Sequence, residues 1–166
     1  FIAPTSSKGK AVRAVRRSTE TQQNRTFVTL KEYRHKLLDR YFLTSRIQDQ
    51  NLLENDAQVK NDWEQTGQKI TVSEIELPGY SPLCRFYNSV TKTHFYTAQA
   101  VECEQLKGIS GFVYEGIEGY AVAKNSNQIC GDLVPVYRVY ANSADVQKRR
   151  HRYISDDSFL GSYVNK

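Results

Sequence analysis

The histidines are the side chains best suited to metal binding or proton transfer, and the sequence scatters them. His35, His94 and His151 lie far apart, and none is followed by a second histidine or cysteine at i+2 or i+4. Short ligand spacings of that kind are typical of zinc sites. We therefore expect packed or hydrogen-bonded histidines, and we predict neither a metal site nor a cofactor.

The carboxylates do not indicate an acid–base pair either. Glu102 and Glu104 lie on a predicted helix, where residues two apart face different directions. Glu115 precedes Gly116 at a predicted turn, where we expect it to cap a hairpin. The sequence contains no nucleophile-elbow, phosphate-binding-loop, dinucleotide-binding or zinc-protease motif. We predict no catalytic residues and a protein that is not an enzyme.

The cysteines leave two alternatives open. Cys84, Cys103 and Cys130 are an odd number without a CxxC spacing. In a reducing compartment we expect three free thiols. In a secreted protein we expect Cys103 and Cys130 to pair, since both flank the last strands of the second predicted repeat.

Basic residues cluster in two places, which we predict to bind partners. Residues 1–19 carry five cations and no acid, whereas the rest of the chain has equal numbers of basic and acidic residues. The first cluster is Lys8, Lys10, Arg13, Arg16 and Arg17, and the second is Lys148, Arg149, Arg150 and Arg152. We expect these residues to contact other protein subunits, RNA or anionic lipid. No small-molecule substrate is predicted.

The first cluster lies in a segment with the composition of an organellar presequence. It is rich in Arg, Ser and Thr and lacks acids. The chain contains no methionine, so we expect Phe1 to follow a proteolytic cut. This composition favours a mitochondrial location.

The remaining residues can build a folded core. The chain of 166 residues is 39% hydrophobic, which excludes global disorder. No apolar run approaches the ~20 residues that a membrane-spanning helix needs. We predict a basic N-terminal arm over residues 1–28 and a folded domain over residues 29–166.

The domain contains an internal repeat with a spacing of 53 residues. Tyr33, Phe86 and Val139 occupy matching positions, and each is followed by a polar turn and an aromatic segment. The third turn carries a predicted insertion of five residues. The repeats span about 29–78, 79–131 and 132–166, so the third is truncated.

Local signals predict four strands in each unit: a strand, a polar turn, a second strand, a short helix, a third strand, a glycine turn and a fourth strand. The predicted glycine turns are at Thr66-Gly67 and Glu115-Gly116. Ser45-x-x-Gln48 is a capping-box pattern, and Thr97 precedes a helical segment that ends at Lys107. Such units bury their apolar faces only by stacking on one another. The sequence therefore predicts a mainly β fold: a β-trefoil-like barrel of three imperfect repeats with short helices. The alternative is an irregular antiparallel sheet with flanking helices.

The middle repeat is similar to a known one. Its segments are Arg85-Phe86-Tyr87-Asn88, His94-Phe95-Tyr96-Thr97 and Phe112-Val113-Tyr114-Glu115-Gly116. They closely resemble a repeat domain of unknown function with the signature YRFYN…HFYT…W-x-YEG, which occurs mostly in secreted bacterial and fungal proteins. The resemblance covers about residues 30–160. It implies a binding role, because members are often appended to hydrolases or surface proteins.

Two functions follow from these observations. We expect a non-catalytic accessory subunit of a larger mitochondrial assembly, such as a ribosome, a respiratory complex or an ATP synthase, anchored by the basic arm. The alternative is a secreted glycan- or cell-wall-binding module, as the resemblance implies.

Overall fold

A computed structural model describes residues 12–14, 26–123 and 133–155, and the fold is mainly β, as predicted. In chain order the elements are β1 (Val12–Ala14), β2 (Phe27–His35), β3 (Arg40–Thr44), α1 (Ile47–Asn55), β4 (Trp63–Ser73), β5 (Ser81–Asn88), β6 (Thr93–Thr97), α2 (Ala100–Lys107), β7 (Phe112–Ala123), β8 (Val134–Ala141), a 3-10 helix (Val146–Lys148) and β9 (Arg150–Ile154). Neither α-helix within these ranges is long and apolar enough to cross a membrane.

Three antiparallel hairpins, β2–β3, β5–β6 and β8–β9, organise the chain. Their strands are rich in the aromatic and β-branched residues that favour extended structure. The central pairs are Tyr33 with Phe42, Phe86 with Phe95, and Val139 with Arg152. The turns span 36–39, 89–92 and 142–149. The third turn is therefore longer by four residues, where the sequence predicted five.

The two helices follow β3 and β6, where the sequence predicted them. Thr44 Oγ1 accepts a hydrogen bond from the Arg46 N–H at 3.0 Å and donates to Asp49 at 2.7 Å in the first turn of α1. Ser45, which the capping-box pattern placed at the cap, instead donates its N–H to Glu118 at 3.2 Å. The predicted capping box at Ser45 is therefore wrong: α1 begins at Ile47, and its N-cap residue Arg46 makes no side-chain capping hydrogen bond.

The hairpins are joined through the long strands β4 and β7. Each is a single strand, so the predicted glycine turns at Thr66-Gly67 and Glu115-Gly116 are wrong. β2 pairs with β3 and β4, β5 pairs with β6 and β7, and all pairings are antiparallel. β7 also meets β4 where Ser73 stands opposite Tyr120. Among the described residues the strands do not close into a barrel, because β3, β6 and β9 each pair with a single strand. The predicted β-trefoil-like barrel of three repeats is therefore not confirmed.

The junction of β4 with β7 depends on Gly119. Its φ of +142° lies in a region that side chains rarely adopt. A Cβ there would lie 2.5 Å from Val72 Cγ2 and 2.7 Å from the Ser73 carbonyl oxygen. Any larger residue would push the two strands apart.

A short segment of the predicted arm belongs to the sheet. β1 pairs with both β7 and β8, so that Val12 stands opposite Ala123 and Val136. β2 begins at Phe27, close to the predicted boundary at residue 28. Residues 12–14 thus connect the second hairpin unit with the third.

The main core lies where the three hairpins meet. Ten buried residues form it: Leu30, Leu43, Ile70, Val72, Leu83, Tyr96, Ala98, Ala121, Val136 and Tyr153. Eight of them, all except Ala98 and Ala121, line an apolar cavity of about 20 Å³. An apolar space of this size holds no organic ligand and stays dry.

Two buried tyrosines link each hairpin to the preceding one. The Tyr96 hydroxyl donates to the Leu43 carbonyl at 2.6 Å and accepts from the Leu43 N–H at 3.0 Å. The Tyr153 hydroxyl makes the same pair of bonds with the Tyr96 backbone, at 2.9 and 2.7 Å. Burial raises the pKa of both tyrosines, so the hydroxyls stay protonated. The series continues with Gln68, whose side-chain amide donates to the Tyr153 carbonyl at 2.5 Å.

Replacing Tyr96 by Phe should lower the free energy of unfolding by about 1–3 kcal/mol, because the buried Leu43 N–H and C=O lose their partner. Urea unfolding measures this change. Tyr114→Phe is the matched control, since Tyr114 is 38% exposed, and its effect should stay within about 0.5 kcal/mol. Equal losses in the two variants would contradict the role given to the Tyr96 hydroxyl.

Candidate functional site

The predicted partner-binding residues of the arm lie almost entirely outside the described residues. Arg13 is part of β1, where only the backbone is described. The other four fall outside the described ranges: Lys8, Lys10, Arg16 and Arg17.

The second basic cluster lies in the third hairpin turn and at the start of β9. The Lys148 side chain is 73% exposed and lies 3.6 Å from Asp145. Arg149 Nε donates to the Ser143 carbonyl at 2.8 Å. Arg150 reaches across to the first hairpin turn, where its Nη2 contacts Asp39 at 2.5 Å. These three cations line one end of the molecule.

Arg152, the fourth member, instead points into the fold. Its guanidinium binds both carboxylate oxygens of Glu32, at 3.1 and 2.9 Å, and stacks 4.3 Å from the ring centroid of Tyr41. Glu32 also accepts hydrogen bonds from Thr66 at 2.6 Å and from Gln68 at 3.0 Å. The Glu32 side chain is fully buried and that of Arg152 is 10% exposed. This pair joins β9 to β2, so we remove Arg152 from the proposed partner-binding residues.

A larger charged cluster connects the first hairpin to the second, and we call it the first joint. Arg85 lies at its centre, with a side chain only 6% exposed. Its Nη1 is 2.6 Å from Asp49 and 2.8 Å from Glu118, and its Nε is 2.9 Å from Glu115. The contact of Arg85 with Asp49 has hydrogen-bond geometry. Arg85 Nε, Glu115 Oε2 and Glu118 Oε1 make no hydrogen bond with any described residue, so the contacts of Arg85 with the two glutamates are between charges only.

Two further side chains complete the first joint. Arg46 Nε lies 2.7 Å from Glu118, and His94 Nε2 lies 3.3 Å from Glu115. Arg46 also donates to the backbone carbonyls of Glu115 and Ile117, at 2.9 and 3.3 Å. α1, β5, β6 and β7 are thus tied together around one buried guanidinium.

The three carboxylates of the first joint differ in pKa. Burial opposes ionisation of Asp49, but hydrogen bonds from Arg85 and Thr44 hold its pKa below the usual range. Burial acts against Glu115 as well, and there His94 and Arg85 lower the pKa. Burial dominates at Glu118 and raises its pKa.

A second joint links the second hairpin to the third with the same kind of contact. Arg138 binds both oxygens of Glu102, at 3.0 and 3.1 Å. Thr97 donates to Glu102 at 2.5 Å, as Thr44 does to Asp49. The residues of the second joint follow those of the first by 53 positions. This recurrence favours a structural role for the buried arginines.

Aromatic side chains cover the first joint in a continuous series that we call the ring row. Its members, in spatial order, are His35, Trp63, Phe42, His94 and Tyr87. Successive centroids lie 5.1, 6.4, 4.3 and 5.4 Å apart. Phe42 is buried beneath Arg85, whose Cζ lies 5.2 Å from the ring centroid, and the other four rings are half-buried. The row thus offers partly exposed rings beside Glu115 and Arg85.

A corresponding series lies at the second joint. It comprises Phe112, Phe95, His151 and Tyr140, with centroids 5.9, 5.0 and 4.6 Å apart. Burial, together with the positive charge of the nearby Arg138, lowers the pKa of His151 to about 4. His151 is therefore a neutral packing residue near pH 7. His35 and His94 both lie in the ring row, and no three His, Cys, Asp or Glu side chains within the described ranges are arranged to hold a metal ion.

The disulfide differs from the pairing that the sequence suggested. Cys84 of β5 is bonded to Cys103 of α2, with Cα atoms 6.1 Å apart. The expected Cys103–Cys130 pair is therefore wrong, and Cys130 lies outside the described residues. The bond packs among Phe86, Phe95 and Leu106 in a second core cluster. Pairing followed the contact of α2 with its own hairpin, which sequence spacing alone does not reveal.

Sequence reasoning missed the joints. It treated Glu115 as a hairpin cap and did not single out Arg46, Asp49 or Glu118. A signal was present, because a threonine followed five residues later by an acid occurs at Thr44 and at Thr97. An arginine then follows each acid 36 residues later, at Arg85 and Arg138. Combining that pattern with the 53-residue spacing would have indicated both joints.

The half-buried, neutral His151 makes the free energy of unfolding depend on pH. Its folded pKa of about 4 lies below its ordinary 6.5, so the unfolded chain binds more protons between these values and stability falls as pH falls. From about pH 7.5 to about pH 5 we expect this group to contribute a loss of about 2 kcal/mol. Urea unfolding at the two pH values measures it. His151→Phe should lose correspondingly less, and an unchanged pH dependence in this variant would refute the assignment.

Residues 42–158 match the family model described as "Domain of unknown function (DUF5648)". The match begins within β3 and includes both joints, the disulfide and the third hairpin. No curated protein and no solved structure matches the chain. Because the matched region is well over half of the sequence, the chain belongs to the DUF5648 family of domains of unknown function.

Proposed function

We propose that this protein is a secreted, non-catalytic binding module. The observation that carries the proposal is the Cys84–Cys103 disulfide, which joins β5 to α2 inside a packed core cluster. Disulfides persist in oxidising extracellular environments, whereas reducing compartments keep cysteines as thiols. The bond therefore favours the secreted alternative over the mitochondrial accessory subunit.

The placement of β1 also favours the secreted alternative over the accessory subunit. The accessory-subunit proposal needs the basic arm to be available to a partner. Residues 12–14 of that arm pair on both sides, with β7 and with β8. At least this part of the arm has a role within the domain itself.

We further propose that the ligand is a glycan bound along the ring row. The faces of aromatic rings pack against the C–H surfaces of sugar rings, and charged side chains at their edges can bind the hydroxyl groups. Trp63 and Tyr87 supply partly exposed rings, and Glu115 contacts His94, the neighbour of Tyr87 in the row. The 20 Å³ core cavity is too small for a sugar, so binding must take place at the surface.

We also infer that the three hairpins are copies of one unit. Thr44, Asp49 and Arg85 recur as Thr97, Glu102 and Arg138 with the same contacts. The Tyr96 and Tyr153 hydroxyls likewise make the same bonds with the hairpin before them. This inference supports a threefold architecture with a shortened last unit.

Counting thiols tests the proposed compartment. The denatured but unreduced native protein should expose one thiol, that of Cys130, and three after reduction. A thiol reagent applied to protein purified from its source without reductant gives both counts. Three thiols before reduction would contradict secretion and restore the accessory-subunit proposal.

Sedimentation with insoluble polysaccharides (chitin, cellulose, peptidoglycan) tests the ligand. Tyr87→Ser removes an accessible ring of the row and should weaken binding at least about tenfold, as expected when an aromatic contact is lost. Tyr114→Ser is the matched control, since Tyr114 is an exposed tyrosine outside the row. Equal binding by the two variants, or no binding by the unmodified protein, would refute a glycan site on the ring row.

A further inference from the structure

The three hairpin turns form one continuous surface at the end of the molecule, which we call the turn face. It consists of residues 36–40, 89–92 and 142–150. Gln147 of the third turn donates to the Val90 carbonyl of the second at 2.9 Å. Arg150 binds Asp39 of the first turn at 2.5 Å. The third turn therefore holds the other two beside each other.

The first two turns present apolar residues at corresponding positions. Asp39 and Lys92 both have positive φ, at 50° and 54°, so the two four-residue turns have similar backbones. Leu37 and Val90 each lie two residues before that position, 85% and 53% exposed, and Leu38 is 52% exposed. Leu37 is the most exposed large hydrophobic residue in the described part of the chain. Exposure of that degree at a loop tip has no structural benefit within the domain.

The same surface is strongly cationic. The three segments contain six Lys and Arg residues, and their acids are only Asp39 and Asp145. Lys36, Lys92 and Lys148 are exposed around the apolar tips. Each of the two acids already contacts a cation of the face, Asp39 through Arg150 and Asp145 through Lys148. The turn face therefore keeps a net positive charge that can attract an external anion.

Arg40 adds a buried cation at the base of the face. The residue is 5% exposed, and its Nε is buried without a hydrogen-bond partner among the described residues. Burial lowers the pKa of Arg40, and the positive charge of Arg150 lowers it further. An anion placed near these two arginines would relieve their repulsion.

We propose that the turn face binds the surface of a bilayer containing anionic phospholipid. Exposed apolar tips ringed by lysines match the boundary between phosphate headgroups and acyl chains, where apolar side chains insert and lysines bind phosphates. Leu37, Leu38 and Val90 enter the boundary, and Lys36, Lys92 and Lys148 contact the headgroups. A soluble polyanion would bind the cations but would make no favourable contact with the apolar tips. A membrane binds both, so it explains more of the residues on this face. This site is separate from the ring row.

Co-sedimentation with vesicles tests the proposal on the full chain. The protein should bind vesicles of phosphatidylcholine with phosphatidylserine and should bind phosphatidylcholine alone far more weakly. The double variant Leu37→Ser, Val90→Ser should reduce binding to the acidic vesicles at least about tenfold. The double variant Lys92→Gln, Lys148→Gln should also reduce it at least about tenfold, and raised salt should weaken the unmodified protein.

Matched variants away from the turn face are the controls. Leu52→Ser with Val101→Ser replaces apolar residues of α1 and α2 that are 50% and 71% exposed. Lys69→Gln with Lys107→Gln removes two exposed lysines elsewhere. Both control variants should bind acidic vesicles like the unmodified protein. Since every substituted residue is exposed, circular dichroism and urea unfolding should report the native fold in all four.

Three results would overturn the proposal. One is the absence of binding to acidic vesicles by the unmodified protein. Another is a loss of binding in the controls equal to that in the turn-face variants. The third is full binding by Leu37→Ser, Val90→Ser together with lost binding by the lysine variant, which would identify an electrostatic surface for polyanions such as heparin instead of a membrane site.

Discussion

The second strand of each hairpin has a backbone edge that no other described strand pairs with, and the fold depends on how that edge is satisfied. A buried N–H or C=O without a partner costs about 1–3 kcal/mol, so an open edge inside the core is not tolerated. The Tyr96 hydroxyl satisfies the backbone of Leu43, and the Tyr153 hydroxyl that of Tyr96. The Gln68 side chain donates a hydrogen bond to the Tyr153 carbonyl. Side chains thus replace the strand pairing that would close a barrel, and the hairpins must keep one arrangement for all three contacts to form.

The charged joints add specificity to this arrangement. A buried guanidinium is stable only when its counter-charges lie close, so Arg85 and Arg138 accept only a neighbour that brings Asp49 or Glu102 into position. In the contact between the third hairpin and the first, acid and base change places. Glu32 of β2 occupies the strand position that Arg85 has in β5, and Arg152 of β9 occupies the position of Phe42 and Phe95. A hairpin placed in another hairpin's position would therefore face a like charge or no charge. The charged contacts thus specify which hairpin lies beside which.

The sequence was sufficient for local structure and insufficient for contacts between distant segments. Alternating aromatic residues around short polar turns predicted the hairpins. The segment after Thr97 predicted α2 and its end at Lys107, although the helix begins at Ala100 and not at Ala98. The burial of Arg152 was missed, because its partner Glu32 is 120 residues away and a run of five basic residues is usually solvated. The partner of Cys103 was missed for a related reason, since only the packing of α2 on β5 brings Cys84 into reach. Pairing of β1 with β7 and β8 likewise has no local signal in its three residues.

The contacts that satisfy the interior also determine what the surface exposes. The first turn is fixed by the Asp39 N–H, which donates to the His35 carbonyl at 2.9 Å, and by the Leu38 N–H, which donates to His35 Nδ1 at 3.3 Å. A turn of four residues held in this way cannot fold Leu37 back onto a core that is already filled. The third turn is bonded to the other two, so the apolar tips cannot collapse together either. The exposure of Leu37 and Val90 is thus a consequence of the same hairpin geometry that places the ring row over the first joint, and a partner surface can cover these tips without any rearrangement of the fold.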